Sequence, residues 1–296
     1  MEFVANLMSV DVDPVAWARD REAEGWQVLG CADHFFTDTR AYPHLWVTLT
    51  AMATATTTAR LTSCFANNLL RSPVELAQAA LQLQRVSGGR FELGVGAGWS
   101  RDEIVGAGLH YPEPSERAGR YAESMAAVRA LLHEGRYVHE GRWYRFAVTA
   151  TGPRVPEPPP LVASVGGPRT IREVSPLADR VELKAISAAT RNGALDIAGL
   201  AAIDRDHVAR LADAVRAVRP DVPLSLFVLC SAGTDARTAA ISRALSGSFI
   251  GGFFGEPAQV AEHVRSLADL GLDRVQLSPF SDDAWPLLAP LLTGNG

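Results

Sequence analysis

The chain has 296 residues, with 28 Lys and Arg against 33 Asp and Glu, so its formal net charge is −5. With 47% hydrophobic and 21% charged residues it is too apolar and too weakly charged for disorder. A mildly acidic balance without a Lys/Arg run speaks against nucleic acid or an anionic membrane as partner. No apolar run approaches the roughly 18–20 residues that span a bilayer, and Met1–Asn6 lacks the basic-then-apolar pattern of a secretory signal. A cytoplasmic location is therefore expected. Cys31, Cys64 and Cys230 are odd in number and without CxxC spacing, which suits buried reduced thiols.

Short apolar runs alternate with longer amphipathic stretches. Glu2–Met8 reads as a first strand, followed by a helix from the Asp13-Pro14 cap to about Gly25, since Asp at the N-cap and Pro at the first helical position favour a start. Gln27–Cys31 is a second strand, His44–Thr58 a helix and Leu61–Ala66 a third strand. Ser72-Pro73-Val74-Glu75 reads as a capping box that opens a helix running to Ser87, stopped by Gly88-Gly89. Phe91–Val95 is the fourth strand.

Residues 96–160 depart from this alternation, with a helix from about Ser115 to His133, a hairpin over Gly135–Phe146 and a Pro-rich stretch at Pro153–Pro160. Because Leu161–Val165 resumes the strand pattern at once, 96–160 reads as an insertion within one domain of residues 1–296. Further strands fall at Arg180–Leu183, Leu224–Cys230 and Arg274–Ser278, with helices near 168–175, 205–219, 234–246, 257–270 and 282–292. Strands alternating with helices demand parallel pairing. Eight of them in a chain of this length favour a (β/α)8 TIM barrel over a doubly wound sheet.

In such a barrel, chemistry belongs at the C-terminal ends of the strands. Asp33-His34 follows the second strand and suits proton handling, or equally a helix cap and a surface residue. Asn67-Asn68 after the third strand can bond a polar ring edge or satisfy a turn. The Gly94-Val95-Gly96-Ala97-Gly98-Trp99-Ser100 run is not a dinucleotide fingerprint, because Trp99 stands at the third glycine and the run follows the fourth strand. It leaves a glycine-rich loop that a flat ligand can approach. Gly166-Gly167-Pro168-Arg169-Thr170 opens a helix and is either a phosphate cradle or a plain turn. Lys184 near the sixth strand end could hold an anion. The seven scattered histidines form no HxH or HExxH pair, so no metal is expected.

The chain resembles the luciferase-like monooxygenase and coenzyme F420-dependent oxidoreductase superfamily. The segments that carry this are Glu24-Gly25-Trp26 through Ala32-Asp33-His34-Phe35, Arg71 through Ala77, and above all Ser87 through Trp99. Arg117, Glu123, Gly141-Arg142-Trp143-Tyr144, Val165-Gly166-Gly167 and Gly255-Glu256-Pro257 follow in order. The resemblance implies a barrel with F420, or alternatively FMN, at its mouth. It makes His34 the catalytic residue and places Asp33, Asn67, Val95, Gly96, Ser100, Gly166, Gly167, Arg169 and Thr170 at the cofactor. Trp99 and Lys184 fall on the substrate side. It further implies a non-proline cis peptide near Cys64-Phe65 and a homodimer formed through helices beside strands two and three. Sugar-phosphate dehydrogenases of the superfamily carry a carboxylate beside the strand-four glycines. Ala97 stands there, so the second acid–base partner is expected to be missing and sugar-phosphate oxidation is not expected.

The leading expectation is hydride transfer between F420 and a small organic substrate. Alternatives are an FMNH2-dependent monooxygenase on the same barrel and a non-catalytic flavin-binding protein. Ser187–Leu200, rich in Ala, Gly and polar residues, suits a lid over the mouth.

Overall fold

The computed structural model describes residues 1–37 and 40–294. Eight parallel strands form the central wall: β1 (Glu2–Leu7), β2 (Val28–Cys31), β3 (Arg60–Ser63), β4 (Phe91–Gly96), β5 (Leu161–Val165), β6 (Arg180–Leu183), β7 (Leu224–Ala232) and β8 (Arg274–Pro279). Each pairs in parallel with the next, and β8 returns to β1 in the register Glu2↔Arg274 through Ala5↔Leu277, which closes the barrel. Closure leaves the barrel wall itself without an edge, and the helical crossovers cover its outer face.

The helices begin where their capping residues allow. Asp13 accepts from the Val15 N–H at 2.9 Å and opens α1 (Pro14–Ala23), while α2 spans Leu45–Ala55. Ser72 accepts from the Glu75 N–H at 3.1 Å and opens α3 (Pro73–Val86). Glu75 does not close the expected capping box: its carboxylate accepts from Trp46 Nε1 at 2.5 Å and lies 3.5 Å from Arg71. A short helix, α4 (Arg101–Gly106), follows β4, and α5 (Pro114–Glu134) ends at Gly135, whose φ of 69° is the left-handed cap that glycine tolerates. The hairpin pairs Tyr137–Glu140 with Arg145–Val148. Then come α6 (Pro168–Val174), α7 (Ile197–Ala201), α8 (Arg205–Arg216), α9 (Ala236–Ala244), α10 (Pro257–Arg265) and α11 (Ala284–Leu292). Among the described residues no helix is long and apolar enough to cross a membrane.

At the N-terminal end of the barrel, the first residues of the strands form an ionic layer. Buried Arg274 donates to Glu92 and, at 3.0 Å, to Glu2, while Arg60 reaches both acids. Burial opposes a charge on Glu92, but the Arg274 guanidinium overrides it and holds the carboxyl below its ordinary value.

Candidate functional site

The opposite end is built from the residues just past β2, β3, β4, β5 and β6. The third strand is not the continuous run its hydrophobicity suggests. It stops at Ser63, passes through a cis Cys64–Phe65 peptide bond, and resumes as Ala66–Asn67, which pairs with Val95 and Gly96 of β4. This detour explains the strand-four glycines. A Cβ on Gly94 would stand 2.1 Å from the Ser63 carbonyl oxygen, and one on Gly96 3.3 Å from the Phe65 Cβ. Gly98 has a φ of +81° with the Asn67 side chain against it. These glycines are required by the chain's own close packing.

The Asp33-His34 pair divides its labour. Asp33 is buried, and its carboxylate accepts from Arg71 at 2.8 and 3.1 Å and from the Asn67 N–H at 2.8 Å. It thereby ties the ends of β2 and β3 together. Asn67 accepts from the Leu69 N–H at 3.0 Å, so its carboxamide follows the turn reading. His34 keeps an 18% exposed side chain and lies in an aromatic setting, its ring 5.0 Å from Tyr42 and 6.0 Å from Trp99.

The imidazole does have an acidic partner. Glu103, on α4, places Oε2 2.7 Å from His34 Nδ1 and accepts the Phe35 N–H on Oε1 at 2.6 Å. Its side chain is wholly out of solvent. Ala97 brings no carboxylate to the glycine loop, and the acid beside His34 comes from the following helix. Only a short polar stretch after Trp99-Ser100 hinted at that helix, and Glu103 bonds a residue 69 positions away, which no local pattern reports.

The other expected site residues differ in what they offer. Val95 is fully buried in the core, and its carbonyl accepts from Tyr121 Oη at 2.6 Å, so it presents no side-chain surface to a ligand. Ser100 is buried as the N-cap of α4. Gly166 is packed against Ser187 and Lys184, whereas a Cβ on Gly167 would meet open space. The N–H groups of both glycines reach the Thr170 hydroxyl only at 3.5 and 3.3 Å. Arg169 donates to Glu173 and to the Ser115 carbonyl, each within 2.9 Å.

Lys184 is half-buried, its ammonium 5.7 Å from the centre of the Trp99 ring. Burial, followed by the charge of nearby Arg117, pushes it down to about 8 from 10.5. Among the described residues no acidic side chain offsets either effect. Arg117 is itself held by the Pro112 and Arg191 carbonyls and stacks on Tyr111. The stretch expected to act as a lid is tied down. The Gly193 carbonyl accepts from the Arg101 N–H at 3.0 Å, Arg191 is bonded to Arg117, and 197–201 is helical.

Residues 13–245 match the family model described as luciferase-like monooxygenase. The chain belongs to that family. A glucose-6-phosphate dehydrogenase of Amycolatopsis mediterranei, described as F420-dependent, is 30% identical over 160 residues, which is 53% of this chain and 48% of that protein. An uncharacterised protein of Mycobacterium tuberculosis is 30% identical over 136 residues, 45% of this chain and 47% of the other. The chain thus spans about half the length of the curated relatives it matches. Among solved members of the fold, an F420-dependent secondary alcohol dehydrogenase in complex with an F420-acetone adduct superposes with a TM-score of 0.76 over 98% of both chains at 14% identity. A monooxygenase from Streptomyces bottropensis superposes at 0.73 over 99% of both chains at 18% identity. At those identities the shared feature is the barrel fold.

Proposed function

We propose that this member of the luciferase-like family is an oxidoreductase that moves a hydride between coenzyme F420 and a small organic substrate at the C-terminal mouth of the barrel. The observation that carries the reading is the His34 imidazole, fixed from behind by buried Glu103 and edged by Trp99 and Tyr42. Relatives about 30% identical that are described as F420-dependent dehydrogenases support the choice of cofactor.

The residues present suit a flat, phosphorylated group. Open space over Gly167 and loosely engaged glycine N–H groups can receive an anionic tail, with Thr170 and Arg169 beside them. Gly96 and Ser100 would line the near side, and Asp33 would act by holding Arg71 and the Asn67 backbone in place. When bound, the deazaflavin supplies the hydride-exchanging carbon.

His34 takes or returns the proton that accompanies the hydride, with Nδ1 engaged by Glu103 and Nε2 left to the substrate. Trp99 forms an apolar wall that keeps water from the reacting edge. Lys184, a cation with no acidic partner among the described residues, holds the anionic end of a substrate.

Titration of the purified protein with F420 and with FMN, followed by tryptophan fluorescence, tests the cofactor. His34→Ala should cut F420-linked turnover by ~10²–10⁴-fold, and unchanged turnover would remove its role. Oxygen uptake coupled to product with reduced FMN, and none with F420, would instead establish the monooxygenase reading that the family model favours.

A further inference from the structure

We propose that Glu103 is a positioning residue that fixes His34 in the Nδ1–H tautomer and so leaves Nε2 as the proton acceptor at the mouth. The proposal rests on the hydride-transfer reading for its catalytic consequence, although the pairing itself can be observed without any cofactor.

The argument begins with what Glu103 lacks. Its side chain is 0% exposed, and no Lys or Arg among the described residues lies within ion-pair distance of it. A buried carboxylate without a guanidinium or ammonium must be stabilised by hydrogen-bond donors. Two are in place, and both come from the β2 loop: the Phe35 N–H on Oε1 at 2.6 Å and His34 Nδ1 against Oε2 at 2.7 Å. An ionised carboxylate can only accept. The Phe35 N–H is a donor by construction, so the imidazole must present its proton at Nδ1 to complete the pair. Nε2 makes no hydrogen bond within the described residues and keeps the lone pair.

Free imidazole in water prefers its proton on the other nitrogen, so without Glu103 the same ring would offer the mouth a donor instead of an acceptor. The carboxylate's grip on the Phe35 backbone holds the ring through the main chain as well as through the side chain. A carboxylate that orients a histidine in this way is usually worth about 10–100-fold in activity when removed, and considerably more when the tautomer is lost outright.

The α4 sequence explains how the pair forms. Ser100 stands at the N-cap position without a side-chain cap bond, and the hydrogen bond from Ile104 N–H to the Ser100 carbonyl closes the first turn. Glu103 and Ile104 are its two buried positions, while Arg101 and Asp102 are exposed. The Phe36 ring meets Gly106, where a Cβ would stand 2.8 Å from it. The helix is therefore docked on the β2 loop at both ends of the contact.

The test is a ¹⁵N spectrum of the histidine ring nitrogens in the full chain without cofactor, with His34 assigned by its loss in His34→Gln. The wild type should show His34 protonated on Nδ1, and proton density on Nε2 would overturn the proposal. In Glu103→Gln the amide can donate to Nδ1, so the proton should move to Nε2. With F420 and substrate, kcat should then fall by about 10–100-fold while KM stays within about threefold. Glu103→Asp, which keeps the charge, should retain the Nδ1–H tautomer and recover part of kcat. A purely structural role would lower thermal stability in both variants without moving the tautomer, and that result would overturn the proposal. If Glu103→Gln fails to fold, the wild-type spectrum and the aspartate variant still decide the matter. An Nδ1–H spectrum in a protein that turns nothing over with F420 would support the pairing and sink the hydride-transfer reading.

Discussion

The two ends of the barrel use charge differently, although Asp33 and Arg71 form a buried pair at the C-terminal end. At the N-terminal end opposite charges are paired: Arg274 holds Glu92 and Glu2, and Arg60 joins the same two acids. At the C-terminal end Lys184 faces an aromatic ring and another cation, and His34 depends on a single carboxylate behind it. Matched charges close a barrel and specify its register, whereas unmatched ones cost stability and gain meaning only when a ligand arrives. One end therefore reads as structure and the other as a site.

Breaking the matched end should have the largest effect on stability. Arg274→Ala strands Glu92 in a buried layer with only Arg60 left to reach it. Removing one partner of such a pair typically costs about 3–5 kcal/mol. Urea denaturation should report a loss of that size, and a loss below about 1 kcal/mol would show that the layer is not what holds the N-terminal end together. The sign with pH follows from Glu92. Its carboxyl is held below the ordinary 4.5, so its contribution is present above that value and is lost as acid titrates it. The Arg274→Ala protein should lose this part of its acid sensitivity.

Altering the unmatched end should act in the reverse direction and more weakly. Lys184→Met keeps the apolar stem and removes the charge. At pH 7 the variant should be more stable than the wild type, on the order of 1–2 kcal/mol after allowing for solvent at the ammonium. Lys184 sits at about 8 when folded and 10.5 otherwise, so its charge costs most below 8. That cost is relieved as pH climbs through 8 toward 10.5, where the unfolded chain binds the extra proton. Thermal melts across that window should show the wild type gaining on the variant. Parallel curves would mean that Lys184 is already paired.

Much of this contrast could be read from the chain in advance, and the part that could not has a physical cause. Leu161–Val165 and Arg180–Leu183 form strands over those very residues, because a buried parallel strand leaves a short apolar run with clear punctuation on either side. The Asp13 and Ser72 caps behaved as their side chains require. The third strand was legible only as one run, since hydrophobicity does not register the break after Ser63 that brings Ala66–Asn67 against β4. His34 and Lys184 stood out because strand ends are few. Glu103 did not, because its meaning comes from a contact made across the barrel mouth.

The mildest change sharpens the comparison at a single atom position. Gly167 has a φ of −135°, which any residue adopts, and a Cβ there meets nothing within 4 Å. Gly167→Ala should therefore leave stability within about ±0.5 kcal/mol of the wild type. If the β5 loop cradles the phosphate-bearing tail of the cofactor, the added methyl occupies the space the anion needs, and F420 should bind about three- to tenfold more weakly, a loss of roughly 0.7–1.4 kcal/mol. His34 and Glu103 lie on other loops, so kcat at saturating cofactor should hold. Unchanged affinity in fluorescence titration would move the phosphate site away from the β5 loop and leave the Gly166-Gly167 pair as an ordinary turn.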